Sequence, residues 1–370
     1  MHPIRYAGEM NEPQGKGEIM EEKIRSYLQQ YRTDDFPFGL PAAMNDCQIS
    51  MSGDGYIVDA NMAFPCFTQL QNVMEKMAEE LDINVQLRAE IQVEAVRNHD
   101  IAGVKNIIAI ASGKGGVGKS TTAVNLALAL QEEGARVGIL DADIYGPSIP
   151  TMLGISDQKP GSEDGKRMLP LQGQGLSAMS IGFLVPDSQA SIWRGPMAST
   201  AFTQLLNETA WDDLDYLLID MPPGTGDIQL TLAQKVPVAA ACMVTTPQDI
   251  ALIDVRKGIS MFDKVQVPVL GVVENMSYHL CPNCGHESHI FGHGGAESLA
   301  TQQQINLLGQ IPLNLDIRLG ADAGNSPVSA NIDSDISQIY RKIATNIVRD
   351  LYYQLDWRSP ATATLSITEE

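Results

Sequence analysis

The densest chemical signal in the chain is the run Gly113-Lys114-Gly115-Gly116-Val117-Gly118-Lys119-Ser120-Thr121. It fits the pattern G-x4-G-K-[ST], in which glycines let backbone N–H groups close around phosphate oxygens. Lys119 then reaches the outer phosphates of a nucleotide, and the Ser120 hydroxyl is placed to hold Mg²⁺. A glycine-rich turn without a ligand is the bland alternative. The apolar run 107–111 before the loop and the helical stretch after it favour the phosphate site, because a helix N-terminus adds its own attraction for anions. Three carboxylates extend this chemistry towards hydrolysis. Asp141 and Asp143 follow an expected strand at 137–140, and Asp220 follows another at 216–219, at the strand ends where open α/β sheets hold ligands. Asp220 suits a Mg²⁺ partner, direct or through water; Asp143 suits a water-orienting role, and Asp141 a brace for the metal shell. Each aspartate alone is equally a turn former or helix cap.

A second constellation is His279-Leu-Cys281-Pro-Asn-Cys284-Gly-His286. Pro and Gly shape a tight knuckle that presents the Cys281 and Cys284 thiolates to one metal. Nothing places the pair at the start of a helix, where a redox dithiol gains its stabilised thiolate. Two readings stay open. One is a zinc site within the chain, completed by two of His279, His286, His289 and His293. The other is a site shared by two chains, with Cys281 and Cys284 from each, suited to zinc or to a 4Fe-4S cluster. On the residues alone zinc is favoured. Cys47, Cys66 and Cys242 lie in apolar contexts and read as packing residues.

The elements that must position these groups divide the chain unequally. Residues 1–44 form a polar arm, expected to be partly mobile, with one helix at 18–31. A compact α+β pattern occupies 45–96: a strand to Met51, a turn at Gly53-Asp54-Gly55, a strand at 56–63, a helix at 67–81 and a strand at 84–93. Turn-rich 97–105 reads as a linker. From 106 to 358, short runs of Val, Ile, Leu and Ala alternate with helical stretches, as in strands buried on both faces of a parallel sheet. Strands are expected at 107–111, 137–140, 178–183, 216–219, 239–245, 269–274 and 307–310, with helices at 119–133 and 335–355. Gly292 to Glu297 reads as a turn and helix start, since no lysine follows its glycines. The tail 359–370 is polar.

Composition restricts the functions open to such a chain. It has 25 Lys and Arg against 45 Asp and Glu, a net charge of −20. That balance gives little field to attract phosphate backbones or anionic lipid, so neither nucleic acid nor membrane is an expected partner. Five cysteines are too few for a disulfide framework, which points to a reduced, cytoplasmic protein.

Lys114, directly after the first glycine, resembles the additional lysine of the deviant Walker A ATPases, the group of the nitrogenase iron protein and the MinD/ParA proteins. Asp141 to Ser148, Trp193-Arg-Gly-Pro-Met197, Asp220 to Asp227, Thr246 to Asp249 and Glu274-Asn-Met-Ser277 are similar to the Mrp/ApbC branch of iron-sulfur cluster carriers. The resemblance runs from about residue 104 to 358 and implies a P-loop NTPase fold, a mostly parallel β-sheet flanked by helices. It implies an ATP-sandwiched homodimer in which Lys114 contacts phosphate across the interface, with Lys114, Lys119 and Asp143 as the catalytic residues. Gly113 to Thr121, Asp141 and Asp220 would bind MgATP, and Asn275 the adenine edge. No Asn-Lys-x-Asp guanine signature occurs. The resemblance also reverses the preference at the cysteines: the pairs of two subunits would bridge an iron-sulfur cluster, of 4Fe-4S type, received from a donor and passed to apoprotein clients. The 45–96 module is similar in outline to the MIP18-type domain that precedes such ATPases. A MinD- or ParA-like positioning ATPase and a zinc-stabilised metal chaperone are the alternatives; the polar, acidic tail lacks the basic amphipathic character of the former.

Overall fold

The computed structural model describes residues 14–53, 55–144, 146–162, 165–184 and 195–353. The chain divides into two compact units, Met1–Gln92 and Val93–Glu370.

In the first unit, β1 (Met44–Ser52) and β2 (Gly55–Met62) pair antiparallel through the tight turn at Gly53, and β3 (Val85–Ile91) joins β2 in parallel. The parallel pairing needs a crossover, supplied by the helix Phe67–Leu81. Leu70, Val73, Met74 and Met77 recur on one face of that helix and are buried. The expected polar arm is, from Gln14, part of this unit. It forms the helix Gln14–Gln30, and Ile24, Leu28, Phe36 and Leu40 are buried although polar residues surround them in sequence.

The expected linker is fastened to the second unit. Asn106, buried at the start of the sheet, accepts from the Val96 N–H at 2.8 Å and donates to the Glu94 carbonyl at 2.9 Å. Arg97 donates to the Val238 carbonyl at 3.0 Å. The division therefore precedes residue 97.

The second unit is built on an eight-stranded sheet of order β13-β10-β9-β4-β8-β5-β7-β6. The strands are β4 (Val104–Ala111), β5 (Val137–Asp141), β6 (Leu171–Gly173), β7 (Leu176–Ser180), β8 (Leu214–Asp220), β9 (Ala240–Thr245), β10 (Val269–Glu274) and β13 (Asn306–Gln310). All neighbours are parallel except the edge hairpin β6–β7. Every residue of β5, β8 and β9 is buried, which is why 137–140, 216–219 and 240–245 within them read as largely apolar runs. The helix Lys119–Glu132 packs against the closing helix Asp335–Tyr353, whose Ile336, Ile343, Ile347 and Leu351 are buried. The remainder of the expected 335–355 helix lies outside the described residues.

One strand ends earlier than its apolar run. Ser180 Oγ accepts from the Gly182 N–H at 3.0 Å, and residues Ile181–Phe183 turn into a 3-10 helix instead of continuing β7. No described helix is long and apolar enough to cross a membrane.

Candidate functional site

Because β4 lies between β8 and β9 at the centre of the sheet, the loop after it emerges where successive strands turn to opposite sides, the usual ligand crevice of such sheets. Gly116 and Gly118 have φ of 81° and 82°, a conformation that excludes ordinary side chains. Packing excludes them as well. A Cβ on Gly113 would stand 2.2 Å from the backbone carbonyl carbon of Asp254, and one on Gly118 2.2 Å from Asn275 Nδ2. Ser112 Oγ donates to the Lys114 carbonyl at 3.0 Å, and the helix opens with Thr122 N–H donating to the Gly118 carbonyl at 2.9 Å. Gly115 and Gly116 are exposed, Val117 is buried, and Lys114 is exposed with no ion pair to a described residue.

Strand register brings the acids to this loop. Asp220 stands opposite Ile110 of β4 on one side and opposite Asp141 of β5 on the other. Lys119 Nζ donates to Asp220 Oδ1 at 2.5 Å and to Ser120 Oγ at 3.2 Å. Asp220 Oδ2, fully buried, has no hydrogen-bond partner among the described residues. That orphaned oxygen beside the Ser120 hydroxyl is a hard-oxygen pair of the kind Mg²⁺ selects, and it fits the metal expected with a nucleotide.

Asp141 has a different occupation from the metal brace expected of it. Its Oδ1 accepts from the Asp143 N–H at 3.1 Å, and its Oδ2 from the Ile149 N–H at 3.3 Å and Ser180 Oγ at 3.2 Å. It therefore pins both ends of the loop that carries Asp143, which is itself half-buried. Burial, then the nearby Asp220 charge, pushes the Asp141 carboxyl up to about 8. Burial also raises Asp220, against the pull of Lys119. The segment after Asp220 is clasped to the same loop: Met221 N–H donates to the Ile110 carbonyl at 3.0 Å and Gly224 N–H to the Ser112 carbonyl at 3.1 Å, before the helix Asp227–Lys235 begins.

Asn275, directly after β10, donates from Nδ2 to the Val117 carbonyl at 2.8 Å. It also lines a pocket of about 240 Å³ beside Gly118 and Thr121, closed by Met152, Pro312, Leu313, Ile317 and Arg318. These five residues were missed in the sequence. The available signal was the position of Pro312 and Leu313 just past β13, at the same strand-end edge of the sheet. Of the Trp193 to Met197 motif, Trp193 and Arg194 lie outside the described residues.

The cysteines sit on a small hairpin of β11 (His279–Leu280) and β12 (Glu287–Ser288). Cys281 N–H donates to the His286 carbonyl at 3.0 Å and Gly285 N–H, in the left-handed conformation, to the Cys281 carbonyl at 2.9 Å. Cys281 is half-exposed and Cys284 exposed. Backbone hydrogen bonds from Asn283 and Cys284, with the Cys284 side chain, hold the Cys281 thiol below its ordinary pKa. Two of the four histidines are engaged elsewhere. His279 Nδ1 faces the Leu313 carbonyl at 3.2 Å, and His289 faces the Ser277 carbonyl at 3.3 Å and Glu287 at 3.2 Å. Among the described residues no group of three His, Cys, Asp or Glu side chains gathers to hold a metal ion.

Residues 103–348 match the ParA family model described as the NUBPL iron-transfer P-loop NTPase. The chain is 63% identical over 254 residues to the iron-sulfur cluster carrier protein of Escherichia coli (strain K12), covering 69% of each. It is 44% identical over 302 residues to the iron-sulfur cluster carrier protein of Deinococcus radiodurans, covering 80% of this chain and 86% of that one. Its fold matches the nucleotide-binding protein of Archaeoglobus fulgidus, solved with ADP, at a TM-score of 0.57 and 38% identity over 65% of this chain and 93% of that one. With the loop, its paired acids and the thiolate hairpin in one unit, this chain belongs to the ParA family of NUBPL-type iron-transfer P-loop NTPases.

Proposed function

We propose that this chain is an iron-sulfur cluster carrier: a homodimer that binds MgATP at the Gly113–Thr121 loop, holds a cluster on Cys281 and Cys284 of both subunits, and passes it to apoprotein clients. The observation that carries the reading is the thiolate pair itself, accessible on a hairpin tip, with its sulfur charge supported by backbone donors and, among the described residues, no third ligand side chain gathered around it. Two thiolates leave a tetrahedral iron or cluster half-coordinated, and a second copy supplies the remainder. Exposed Lys114, free of any ion pair to a described residue, is suited to reach phosphate in the facing subunit.

Within the nucleotide site, an arriving phosphate competes with Asp220 for Lys119. Asp220 and Ser120 would hold Mg²⁺, which would supply charge neutralisation at the transferred phosphate. Asp143, on the loop pinned by Asp141, orients the attacking water. The base enters the pocket of Asn275, Pro312 and Leu313. Hydrolysis then opens the dimer and alters access to the cluster. The reading is tested by anaerobic reconstitution with iron and sulfide. Thiolate-to-iron absorption bands are expected from the native chain, and their persistence in Cys281→Ala/Cys284→Ala would refute it.

A further inference from the structure

The segment that bears the cysteines leaves the sheet after Ser277 and returns at Gly295, and both its ends meet one buried carboxylate. Glu274, the last residue of β10, is fully buried. Its Oε1 accepts from Ser277 Oγ at 2.6 Å and from Gln310 Nε2 at 3.0 Å, on the outgoing side. Its Oε2 accepts from the Ala296 N–H at 2.8 Å, on the returning side, where the helix Gly295–Gln303 begins. No described cation pairs with it; neutral donors and the helix N-terminus stabilise it. His289 adds a cross-tie by facing the Ser277 carbonyl at 3.3 Å.

The same few residues hold the nucleotide loop and the pocket wall. Asn275, adjacent to Glu274, donates to the Val117 carbonyl at 2.8 Å. Leu313 of the pocket donates its N–H to the Tyr278 carbonyl at 2.7 Å, and its own carbonyl faces His279 at 3.2 Å, two residues before Cys281. A shift of Val117 or Leu313 on nucleotide binding is therefore applied to the root of the thiolate hairpin, with Glu274 holding that root together.

Resting on the carrier reading, we propose that Glu274 is a positioning residue that couples nucleotide occupancy to the setting of Cys281 and Cys284 within one chain. The test uses reduced, cluster-free protein and the rate at which iodoacetamide alkylates the two thiols, with and without saturating MgATP. A Lys114→Ala background removes closure of the dimer as a source of protection. There the rate is expected to change at least about fivefold with nucleotide, the lower end of ordinary coupling between sites. Glu274→Ala is expected to bring that ratio close to unity while nucleotide binding persists. Glu274→Gln, which retains an acceptor for Ala296 and a group able to bond Ser277, restores most of it.

A purely structural Glu274 would change both rates equally and leave their ratio intact, which would overturn the proposal. So would the absence of any nucleotide effect in the Lys114→Ala parent. If Glu274→Ala fails to fold, Ser277→Ala, which cuts only the outgoing tie, takes its place with the same expected fall in the ratio. Cluster uptake, measured separately on the native chain, keeps the fate of the carrier reading distinct from that of the coupling.

Discussion

Lys119 and Asp220 form a buried ion pair at 2.5 Å, with 6% and 0% of their side chains exposed, and one Asp220 oxygen beside it lacks any hydrogen-bond partner among the described residues. The arrangement stores the phosphate-binding charge against the carboxylate that a metal would use. Breaking one side of such a pair costs far more than removing both, because it leaves a buried charge uncompensated. Lys119→Met is expected to destabilise the nucleotide-free protein by about 3 kcal/mol, and Lys119→Met/Asp220→Asn to recover most of that loss. Urea denaturation of the three proteins checks it. Equal stability of the single and double variants would contradict the assignment. Both variants are expected to lose ATP hydrolysis.

Stability should also carry the signature of Asp141. Its folded pKa of about 8 lies well above the ordinary carboxylate value, so the native state retains a proton that the unfolded chain releases. The sign follows from linkage. This contribution is fully present below the unfolded value, declines as pH rises, and is gone above about 8. Asp141→Asn, which cannot ionise, should flatten the fall in urea midpoint between those limits. The slope is the readout, because the amide also loses one bond to its loop and lowers stability at every pH. An unchanged slope would place the titration elsewhere.

How much of this was legible in the sequence differs from residue to residue. The loop from Gly113 to Thr121 was readable because the chemistry needs fixed residue types at fixed spacing and tolerates little substitution. The parallel strands were readable because burial on both faces leaves an apolar run. Asp141 was read as a metal brace, since sequence places it near the site but does not reveal that Asp143, Ile149 and Ser180 use its oxygens. The pocket beside Asn275 was hidden because Met152, Pro312 and Arg318 come together only through the sheet order. The helix expected at 18–31 was legible because Ile24 and Leu28 fall at helical spacing, and both are buried.

Gly118 offers a steric test of the loop. A methyl group there meets Asn275 Nδ2 at 2.2 Å and must also adopt a φ of +82°. Strain of about 1–3 kcal/mol is the ordinary cost of such a conformation, and the Asn275 bond to Val117 would be displaced as well. Gly118→Ala is expected to weaken binding of a fluorescent ADP analogue at least about tenfold, the equivalent of ~1.4 kcal/mol. Binding within twofold of the native value would show that the loop is not closed by Asn275 in solution.

Lys114 is expected to separate binding from assembly. It is exposed and unpaired among the described residues, so Lys114→Ala should leave stability within about 0.5 kcal/mol of the parent, as surface changes usually do. Nucleotide binding to the single chain should survive. Sedimentation velocity with a non-hydrolysable ATP analogue is expected to show a dimer for the native protein and a monomer for the variant. An ATP-dependent dimer persisting in Lys114→Ala would remove the lysine from the interface.

The most direct measurement is the stoichiometry of the cluster. Anaerobically reconstituted protein should be analysed for iron, sulfide, zinc and chain mass, alongside Cys281→Ala/Cys284→Ala. The expected result is one 4Fe-4S cluster for two chains, with thiolate-to-iron absorption lost in the variant. A cluster or zinc ion bound stoichiometrically to a single chain, or iron absorption that survives loss of both cysteines, would contradict a carrier built on thiolates shared between two subunits.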